Sequence, residues 1–394
     1  MGQEGIRAAS TGQLARSLWG AKGNSGFMKV LLLSAYHADS HRLWLTGLMK
    51  HLPAIDWTVL SLPPRYFSWR IRGNSLSWAL LEKATLEADY DVCVATSMTD
   101  LSALRGLVPK LTRLPTAVYF HENQFAYPGS KQQRGGVEPQ ILNLYTALAA
   151  DKVLFNSDYN RDSFLAGSDH LLSCLPDFVP RAEVAARFVG AEVLPVGIDI
   201  QDTLPRLVSE RLSVLWNHRW EYDKGPDRLL ALVKECDRHG LKLDFYIAGQ
   251  QFRQQPEAFT AIQTILLDSA SLELKQWGFV ADSEDYQSLM ATCDVVLSTA
   301  IHDFQGLSVL QAVAAGCTPL VPDRLCYPQW FASQYRYVDG GDDIALEANS
   351  AATGLARLQT QKASAGLSLV DVSDLSWTRL APRYKQMLES LSQR

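Results

Sequence analysis

The sequence predicts an α/β protein with two doubly wound parallel-sheet (Rossmann-like) domains facing a cleft. Short apolar runs with strand character alternate with helix-like stretches from residue 28 onward, a pattern typical of a parallel sheet covered on both faces. A polar stretch at residues 200–211 interrupts the alternation, which then restarts. The 394 residues are also enough for two ordinary domains, each with a sizeable core.

The first series of strands begins with the apolar run "MKVLLLSAYH" (28–37), which leads into a loop. An amphipathic helix is predicted directly afterwards, over residues 40–52, with Ser40 as its cap. The further strand-like runs of this half are residues 57–62, 91–97, 116–121 and 152–157. We therefore expect an N-terminal domain over residues 28–200.

The second series of strands follows the polar linker and suggests a C-terminal domain over residues 201–376. Its strand-like runs are residues 212–220, 243–249, 272–280, 293–300 and 318–323. The last helical stretch, residues 377–394, is predicted to cross back and brace the two domains.

Composition indicates a cytoplasmic protein. Hydrophobic residues make up 47% and charged residues 20% of the chain, and no run approaches the length of a membrane helix. The six cysteines form no CxxC pair, so buried free thiols are favoured over a zinc site or a disulfide framework. Residues 1–27 lack an apolar signal core, which favours a disordered N-terminal extension over a targeting segment.

Polar side chains after the C-terminal strands mark a candidate anion site, because ligands of open parallel sheets bind outside the carboxyl ends of the strands. Arg219 and Lys224 precede a helix, and two cations at a helix start suit a diphosphate. Gly306 and Leu307 open another helix, whose N–H groups can hold a phosphate. Solvated surface charge is the alternative for the two cations.

Asp303 and Gln311 flank the start of that second helix. A carboxylate accepts hydrogen bonds from sugar hydroxyls, and an amide can both donate to and accept from a diol. The alternative makes Asp303 an acid at the helix start and Gln311 a surface amide.

The run "PPRYFSWRIRG" (63–73) interleaves cations with aromatic side chains, and no acid occurs from residue 57 through 81. Guanidinium groups bind phosphates and aromatic faces stack on unpaired bases, so the run fits a single-stranded nucleic-acid loop. A basic surface loop with its aromatics packed inward is the alternative. The candidate contacts are Arg65, Trp69, Arg70 and Arg72, beside Tyr66 and Phe67. The net charge of −5 agrees with a local patch rather than a basic surface.

Three C-terminal motifs, "HRWEYDKG", "WGFV" and "HDFQGLSVLQAVAAG", resemble the donor-binding half of retaining, family-4-like glycosyltransferases of the GT-B architecture. The resemblance implies that Arg219 and Lys224 hold the nucleotide diphosphate, Asp303 contacts the transferred sugar, and Gln311 contacts the ribose. It also places the base near the backbone of Trp277, Gly278, Phe279 and Val280. Asp303 and Gln311 stand where that group usually has glutamates, which leaves donor affinity and nucleotide preference open.

The N-terminal half resembles one narrow family, the tRNA-queuosine mannosyltransferases, and the match extends over nearly the whole chain beyond the tail. The motifs that carry it include "PPRYFSWRIR", "HENQFAYP", "VLFNSDYNRDSFL" and "LPDFVP". The resemblance implies transfer of mannose from GDP-mannose to the cyclopentenediol of queuosine at the wobble position of a tRNA. It makes the N-terminal domain the acceptor-binding half and the C-terminal domain the donor-binding half.

Residues of the first domain could line the same cleft. The resemblance places His121 at the sugar, with Asn123 among the acceptor contacts. His37, Ser40 and His41 surround the first loop, which lies beside donor and acceptor in GT-B enzymes. A structural role is the alternative for each histidine.

The expected mechanism needs neither a protein nucleophile nor a metal ion. No Ser/His/Asp set, paired carboxylates or D-x-D motif stands at a predicted strand end, so no cofactor is expected beyond the donor substrate. Two other hypotheses remain: a GT-B enzyme with another acceptor, and a non-catalytic tRNA-binding GT-B protein. No membrane association is expected, and the sequence predicts no oligomeric state.

Overall fold

The computed structural model describes residues 26–127, 137–200 and 210–394. The predicted α/β class is confirmed, because two six-stranded sheets are present and every strand pairing in them is parallel. The predicted extension over residues 1–27 and the proposed boundary at residues 200 and 201 fall largely outside the described residues.

The first sheet has the strand order β2-β1-β3-β4-β5-β6. Its strands are β1 Met28–Ser34, β2 Ile55–Ser61, β3 Val92–Thr96, β4 Thr116–Phe120, β5 Lys152–Phe155 and β6 Glu192–Val193. The central strands β3 and β4 are buried along their whole length, as their unbroken apolar sequences predict.

The second sheet has the order β12-β11-β10-β7-β8-β9. Its strands are β7 Leu212–Asn217, β8 Leu243–Ala248, β9 Leu272–Gly278, β10 Val295–Leu297, β11 Thr318–Pro322 and β12 Arg336–Tyr337. The strand order reverses between β7 and β10, and the loops after these two strands therefore open onto a shared crevice.

Helices cover the faces of both sheets. In the first half they are α1 Asp39–His51, α2 Phe67–Leu81, α3 Lys83–Leu86, α4 Leu101–Leu107, α5 Glu138–Leu148, α6 Asp158–Ser173 and α7 Arg181–Arg187. In the second half they are α8 Pro226–Arg238, α9 Ala258–Asp268, α10 Ser283–Thr292, α11 Leu307–Ala314, α12 Tyr327–Trp330, α13 Ile344–Ala365 and α14 Trp377–Ser392. Short 3₁₀ turns lie at Pro109–Arg113, Tyr222–Lys224, Ser333–Tyr335 and Ser373–Leu375.

One helix start differs from the prediction, and another helix, for which no start was predicted, begins within the basic aromatic run. Helix α1 begins at Asp39, so Ser40 lies inside its first turn and is not the cap. Helix α2 begins at Phe67, inside the basic aromatic run, and most of that run is therefore helical.

Helix α14 returns to the first sheet after the second sheet is complete. The chain bridges from Ile198 to Ser376, and the buried Tyr384 then accepts a hydrogen bond from Trp44 Nε1 at 3.0 Å. Its hydroxyl also hydrogen-bonds with Tyr119 of β4 at 3.1 Å. The C-terminal helix thus shares a core with the N-terminal sheet.

The cysteines are free thiols. Five are buried, whereas Cys174 is exposed, contrary to the expectation of uniformly buried thiols. Among the described helices, none has the length and apolar character needed to cross a bilayer.

Candidate active site

The two cations of the predicted anion site, Arg219 and Lys224, are called the clamp below. Arg219 lies in the loop after β7. Its Nη1 is 2.6 Å from Glu221 Oε2, its Nη2 is 3.7 Å from Asp223 Oδ2, and its side chain is 45% exposed. Burial opposes the charged guanidinium, but Glu221, Asp223 and a hydrogen bond with Tyr127 outweigh it and raise the pKa of Arg219. The guanidinium is therefore charged and remains partly open to a ligand.

The second cation, Lys224, is largely buried and connects two loops. Its Nζ donates to the carbonyl oxygen of His302 at 2.8 Å, in the loop after β10. It also lies 3.4 Å from Asp223 Oδ2 and 3.6 Å from Asp303 Oδ2. The structure thus brings Lys224 and Asp303 together, as expected for residues of two loops that open onto the same crevice of a doubly wound sheet.

Asp303 organises the start of α11. Its Oδ1 accepts a hydrogen bond from the Gly306 N–H at 3.0 Å, and Tyr327 donates to Oδ2 at 3.3 Å. Burial alone would raise the pKa of Asp303, but the charge of Lys224 and the Gly306 N–H lower it, so the carboxylate is ionised. This geometry is that of an acid at the helix start, the alternative role considered for Asp303. The carboxylate of Asp303 also occupies the Gly306 N–H, which we expected to hold a phosphate.

Gly306 itself adopts a left-handed conformation with φ of 73°. A Cβ atom there would meet the Tyr327 ring at 3.0 Å, so both the backbone and the space favour glycine. Leu307 begins the helix and packs between apolar clusters of the two halves, while Gln311 is half-buried one turn further on. The N–H groups that α11 can offer an anion are those after Gly306.

The clamp and the carboxylates around it carry more negative than positive charge without a ligand. Three carboxylates, those of Glu221, Asp223 and Asp303, surround the two cations Arg219 and Lys224. Both carboxylate oxygens of Asp223 are buried without a hydrogen bond within the described residues. An incoming diphosphate must therefore compete with carboxylates that already hold its cations.

The "WGFV" motif lies beside this clamp. Trp277 at the end of β9 packs edge-on against Trp220, with 4.7 Å between ring centroids, and Trp220 directly follows Arg219. Gly278 is buried with φ of 93°, Phe279 is 61% exposed, and Val280 is half-buried. The loops after β7 and β9 thus meet at the same edge of the sheet.

Three histidines of the first domain form a cluster. The rings of His41 and His121 stack with their centroids 4.1 Å apart, and His37 Nδ1 is 2.9 Å from Ser34 Oγ. His41 Nε2 lies 3.3 Å from Glu122 Oε2. The rings therefore support one another at the ends of β1 and β4.

Burial disfavours the charged form of His37 and His121. It lowers the pKa of His37 to about 4, with the nearby His41 adding to the effect. Burial also lowers the pKa of His121, whose two ring nitrogens make no hydrogen bond within the described part of the chain. A neutral imidazole without an internal partner can bind the hydroxyl of a sugar.

Two of the predicted acceptor contacts differ from their expected setting. Asn123 is fully buried, and its Nδ2 donates to Asn160 and Ser163 at 2.9 Å. Its Oδ1 accepts from the backbone N–H groups of Phe125 and Ala126, both at 3.0 Å. Asn123 therefore holds its own loop together and does not face an acceptor, which corrects the prediction. Ser40 is half-buried on α1, without the capping role.

The basic aromatic run is partly free and partly paired. Arg65 and Trp69 are exposed, and Arg70 is half-buried. Arg72, in contrast, donates to Asp100 at 2.9 Å and pairs with Glu138. Its guanidinium ties α2 to neighbouring helices and is 46% exposed, so a phosphate would have to compete with two carboxylates for it.

Comparisons with known proteins show the family of this chain. A family model described as "tRNA-queuosine alpha-mannosyltransferase N-terminal" matches residues 29–198. A Drosophila melanogaster protein named tRNA-queuosine alpha-mannosyltransferase is 31% identical over 321 residues, which are 78% of this chain and 83% of the relative. The chain belongs to the tRNA-queuosine alpha-mannosyltransferase family. It is accordingly a hexosyltransferase.

Solved structures share the fold of this family member. Sucrose-phosphate synthase from Thermosynechococcus elongatus superposes with a TM-score of 0.64 at 12% identity, over 92% of this chain and 99% of that one. Anabaena Alr3699/HepE in complex with UDP and glucose gives 0.58 at 15% identity, over 92% and 100%. These similarities confirm the GT-B architecture.

Sequence reasoning missed several residues of the site in this tRNA-queuosine alpha-mannosyltransferase family member. Tyr127 contacts both Arg219 and the ring of His302, whose centroid is 4.5 Å away across the cleft. Glu221 and Asp223 stand between the two cations in the sequence, and that spacing could have revealed them. Tyr127 belongs to the "HENQFAYP" motif, but nothing local indicates a partner 92 residues later.

The described residues contain no group of three or more His, Cys, Asp or Glu side chains arranged to hold a metal ion. The carboxylates beside the clamp form ion pairs with Arg219 and Lys224.

Proposed function

We propose that the protein transfers mannose from GDP-mannose to the cyclopentenediol of queuosine at the wobble position of a tRNA, with retention at the anomeric carbon. The family membership supports a hexosyl transfer of this kind. The observation that carries the proposal is the pair of cations, Arg219 and Lys224, placed beside the start of α11 where a diphosphate can leave.

In the proposed reaction, the bond between the anomeric carbon and the GDP oxygen breaks while an acceptor hydroxyl oxygen bonds to that carbon from the same face. The acceptor proton passes to the departing phosphate, so no protein base is required. Arg219, Lys224 and the N–H groups of α11 stabilise the charge that develops on the diphosphate. Closure of the two domains over the donor excludes water.

His121 and the histidines around it fit the transferred sugar. Among the described residues, the ring nitrogens of His121 have no hydrogen-bond partner, and the ring of His41 on α1 stacks on His121. A neutral imidazole ring can donate to or accept from a sugar hydroxyl without adding charge to the site.

The exposed cations and aromatics of residues 65–70 fit the anticodon loop. Tyr36 links them to the clamp, because its ring packs edge-on against Phe67 at 5.8 Å and its hydroxyl interacts electrostatically with both Arg70 and Arg219. Residues 65–70, the proposed contacts of the acceptor, therefore border the proposed donor site. We further propose that the reaction takes place in the cytoplasm and needs no metal ion.

The test is incubation with queuosine-containing tRNA and GDP-mannose, followed by nucleoside mass spectrometry. Parallel reactions contain GDP-glucose, UDP-sugars, or GDP-mannose with a chelator. We expect a gain of one hexose on queuosine with GDP-mannose, with or without the chelator. No gain with any sugar nucleotide, despite intact tRNA binding, would favour a non-catalytic tRNA-binding protein.

A further inference from the structure

Trp69 on α2 has an unusual environment for so large an apolar side chain. It is 55% exposed, yet its position is fixed from beneath by Gly73, one turn later on the same helix. A Cβ atom at Gly73 would fall 2.3 Å from Trp69 Cε2 and 2.7 Å from Cδ2, the two atoms that fuse the rings. One face of the indole therefore lies on the Gly73 backbone, and the opposite face is available.

The residue just before the helix, Tyr66, adds a second exposed ring. Tyr66 is 72% exposed and holds a left-handed backbone conformation with φ of 56°, which a non-glycine residue adopts at a cost. Its carbonyl oxygen accepts from the N–H groups of Trp69 and Arg70, at 3.0 and 2.9 Å. The strained turn thus places two aromatic side chains at the start of α2.

The same surface carries cations without carboxylate partners. Within the described residues, Arg65 and Arg70 form no ion pair, and Arg70 Nε is buried without a hydrogen bond. The guanidinium carbon of Arg65 lies 5.7 Å from the centroid of the Tyr66 ring. Unpaired guanidinium groups in a chain of net charge −5 indicate a polyanionic partner rather than a second apolar surface.

Position relative to the cleft restricts which part of that polyanion is bound. Phe67 packs against Tyr36, which follows β1 in the loop that also carries His37. The exposed rings therefore lie next to the site where the acceptor nucleoside must enter, and an adjacent unpaired base is the group within their reach.

We propose that Trp69 stacks on an unpaired anticodon-loop base that flanks queuosine, that Gly73 is the positioning residue that holds the indole flat, and that Arg65 and Arg70 bind the neighbouring phosphates. The proposal deepens the proposed function and rests on it for the identity of the RNA. Stacking of one base on an aromatic side chain changes affinity by about 5- to 150-fold.

Binding of a queuosine-containing anticodon stem-loop to the full-length protein tests the proposal, without requiring catalysis. We compare Trp69→Ala, Trp69→Phe and Gly73→Ala with Leu80→Ala, which truncates a 72% exposed side chain on the same helix. Trp69→Ala should weaken binding about 10-fold or more, and Trp69→Phe should retain most of the affinity. Gly73→Ala should also weaken binding although the indole remains, whereas Leu80→Ala should not. GDP affinity should stay that of the wild type in each folded variant.

A double-mutant cycle separates stacking from a general effect on folding. Each nucleotide flanking queuosine is replaced by an abasic nucleotide, and the loss of affinity is measured for the wild type and for Trp69→Ala. At one flanking position we expect a clear loss for the wild type and little further loss for the variant. Additive losses at both positions would overturn the proposal, as would a change in oligomeric state in place of a change in RNA affinity.

The outcomes also distinguish this proposal from the proposed function. If the wild type transfers no hexose but the double-mutant cycle shows that Trp69 and a flanking base are coupled, the proposal of base stacking on Trp69 stands and the enzymatic proposal fails. If the wild type transfers hexose, and Trp69→Ala has the same tRNA affinity and transfer activity as Leu80→Ala, the enzymatic proposal stands and the proposal of base stacking on Trp69 fails.

Discussion

Replacing Glu221 by glutamine should strengthen GDP binding, although the residue lies in the donor site. Glu221 holds Arg219 at 2.6 Å in the absence of a ligand, and the two side chains are 34% and 45% exposed. A diphosphate needs the same guanidinium protons, so Glu221 must release them before the ligand can bind. Glutamine keeps the shape of the side chain but loses the charge that holds Arg219.

The size of the effect follows from the exposure of the pair. Half-exposed ion pairs contribute about 0.2–1 kcal/mol, which corresponds to about a 1.4- to fivefold tighter dissociation constant for GDP once the competition is removed. Burial also raises the pKa of Glu221, although Arg219 opposes this. A bound anion favours the protonated acid further, so GDP binding by the wild type should take up protons and strengthen as the pH falls.

Isothermal titration calorimetry with GDP, in buffers of different ionisation enthalpy, measures both the affinity and the proton uptake. Glu235→Gln is the matched control, because Glu235 forms an ion pair of the same 2.6 Å length with Arg238 at the far end of α8. Weaker GDP binding by Glu221→Gln than by Glu235→Gln would refute the reasoning. The same GDP affinity and the same proton uptake in these two variants would also refute it.

Three further predictions concern the clamp, the loop after β4 and a buried histidine. Arg219→Ala should lower kcat/KM for transfer about 100-fold or more while tRNA affinity is unchanged, because one charged donor to the leaving group is lost; a parallel fall in tRNA affinity would contradict this. Asn123→Ala should lower the free energy of unfolding by about 2 kcal/mol or more, measured by urea denaturation, because buried donors lose their acceptor; unchanged stability with weaker tRNA binding would restore it as an acceptor contact. Burial lowers the pKa of His218 from 6.5 to about 4, so the native state binds fewer protons than the unfolded state between these values. Stability should therefore fall as the pH drops from 6.5 to 4, by up to about 3 kcal/mol, and the urea midpoint of His218→Gln should depend less on pH over that interval.

Local pattern was sufficient to predict the sheets. Unbroken apolar runs such as residues 30–33 have no polar face, which is typical of strands in a sheet covered on both sides, and the structure buries them completely. The loops after the strands then had to meet at one edge, which brought Arg219 and Lys224 to the same place as Asp303.

Pairing over long distances could not be predicted in this way. Arg72 reads like Arg65 and Arg70 in the sequence, but it pairs with Asp100, which is 28 residues away. Asn123 was misjudged for the same reason, since its partners lie on α6 and in its own loop. Side-chain roles of this kind depend on which surfaces pack together, and neither charge nor spacing along the chain determines that.

A crystal structure with GDP tests the central claim most directly, namely that the loops after β7 and β10 hold the diphosphate. The account predicts phosphate oxygens within hydrogen-bond distance of Arg219 and of the N–H groups at the start of α11, with Glu221 turned away from the guanidinium. GDP bound elsewhere, with the Arg219–Glu221 pair intact, would contradict it.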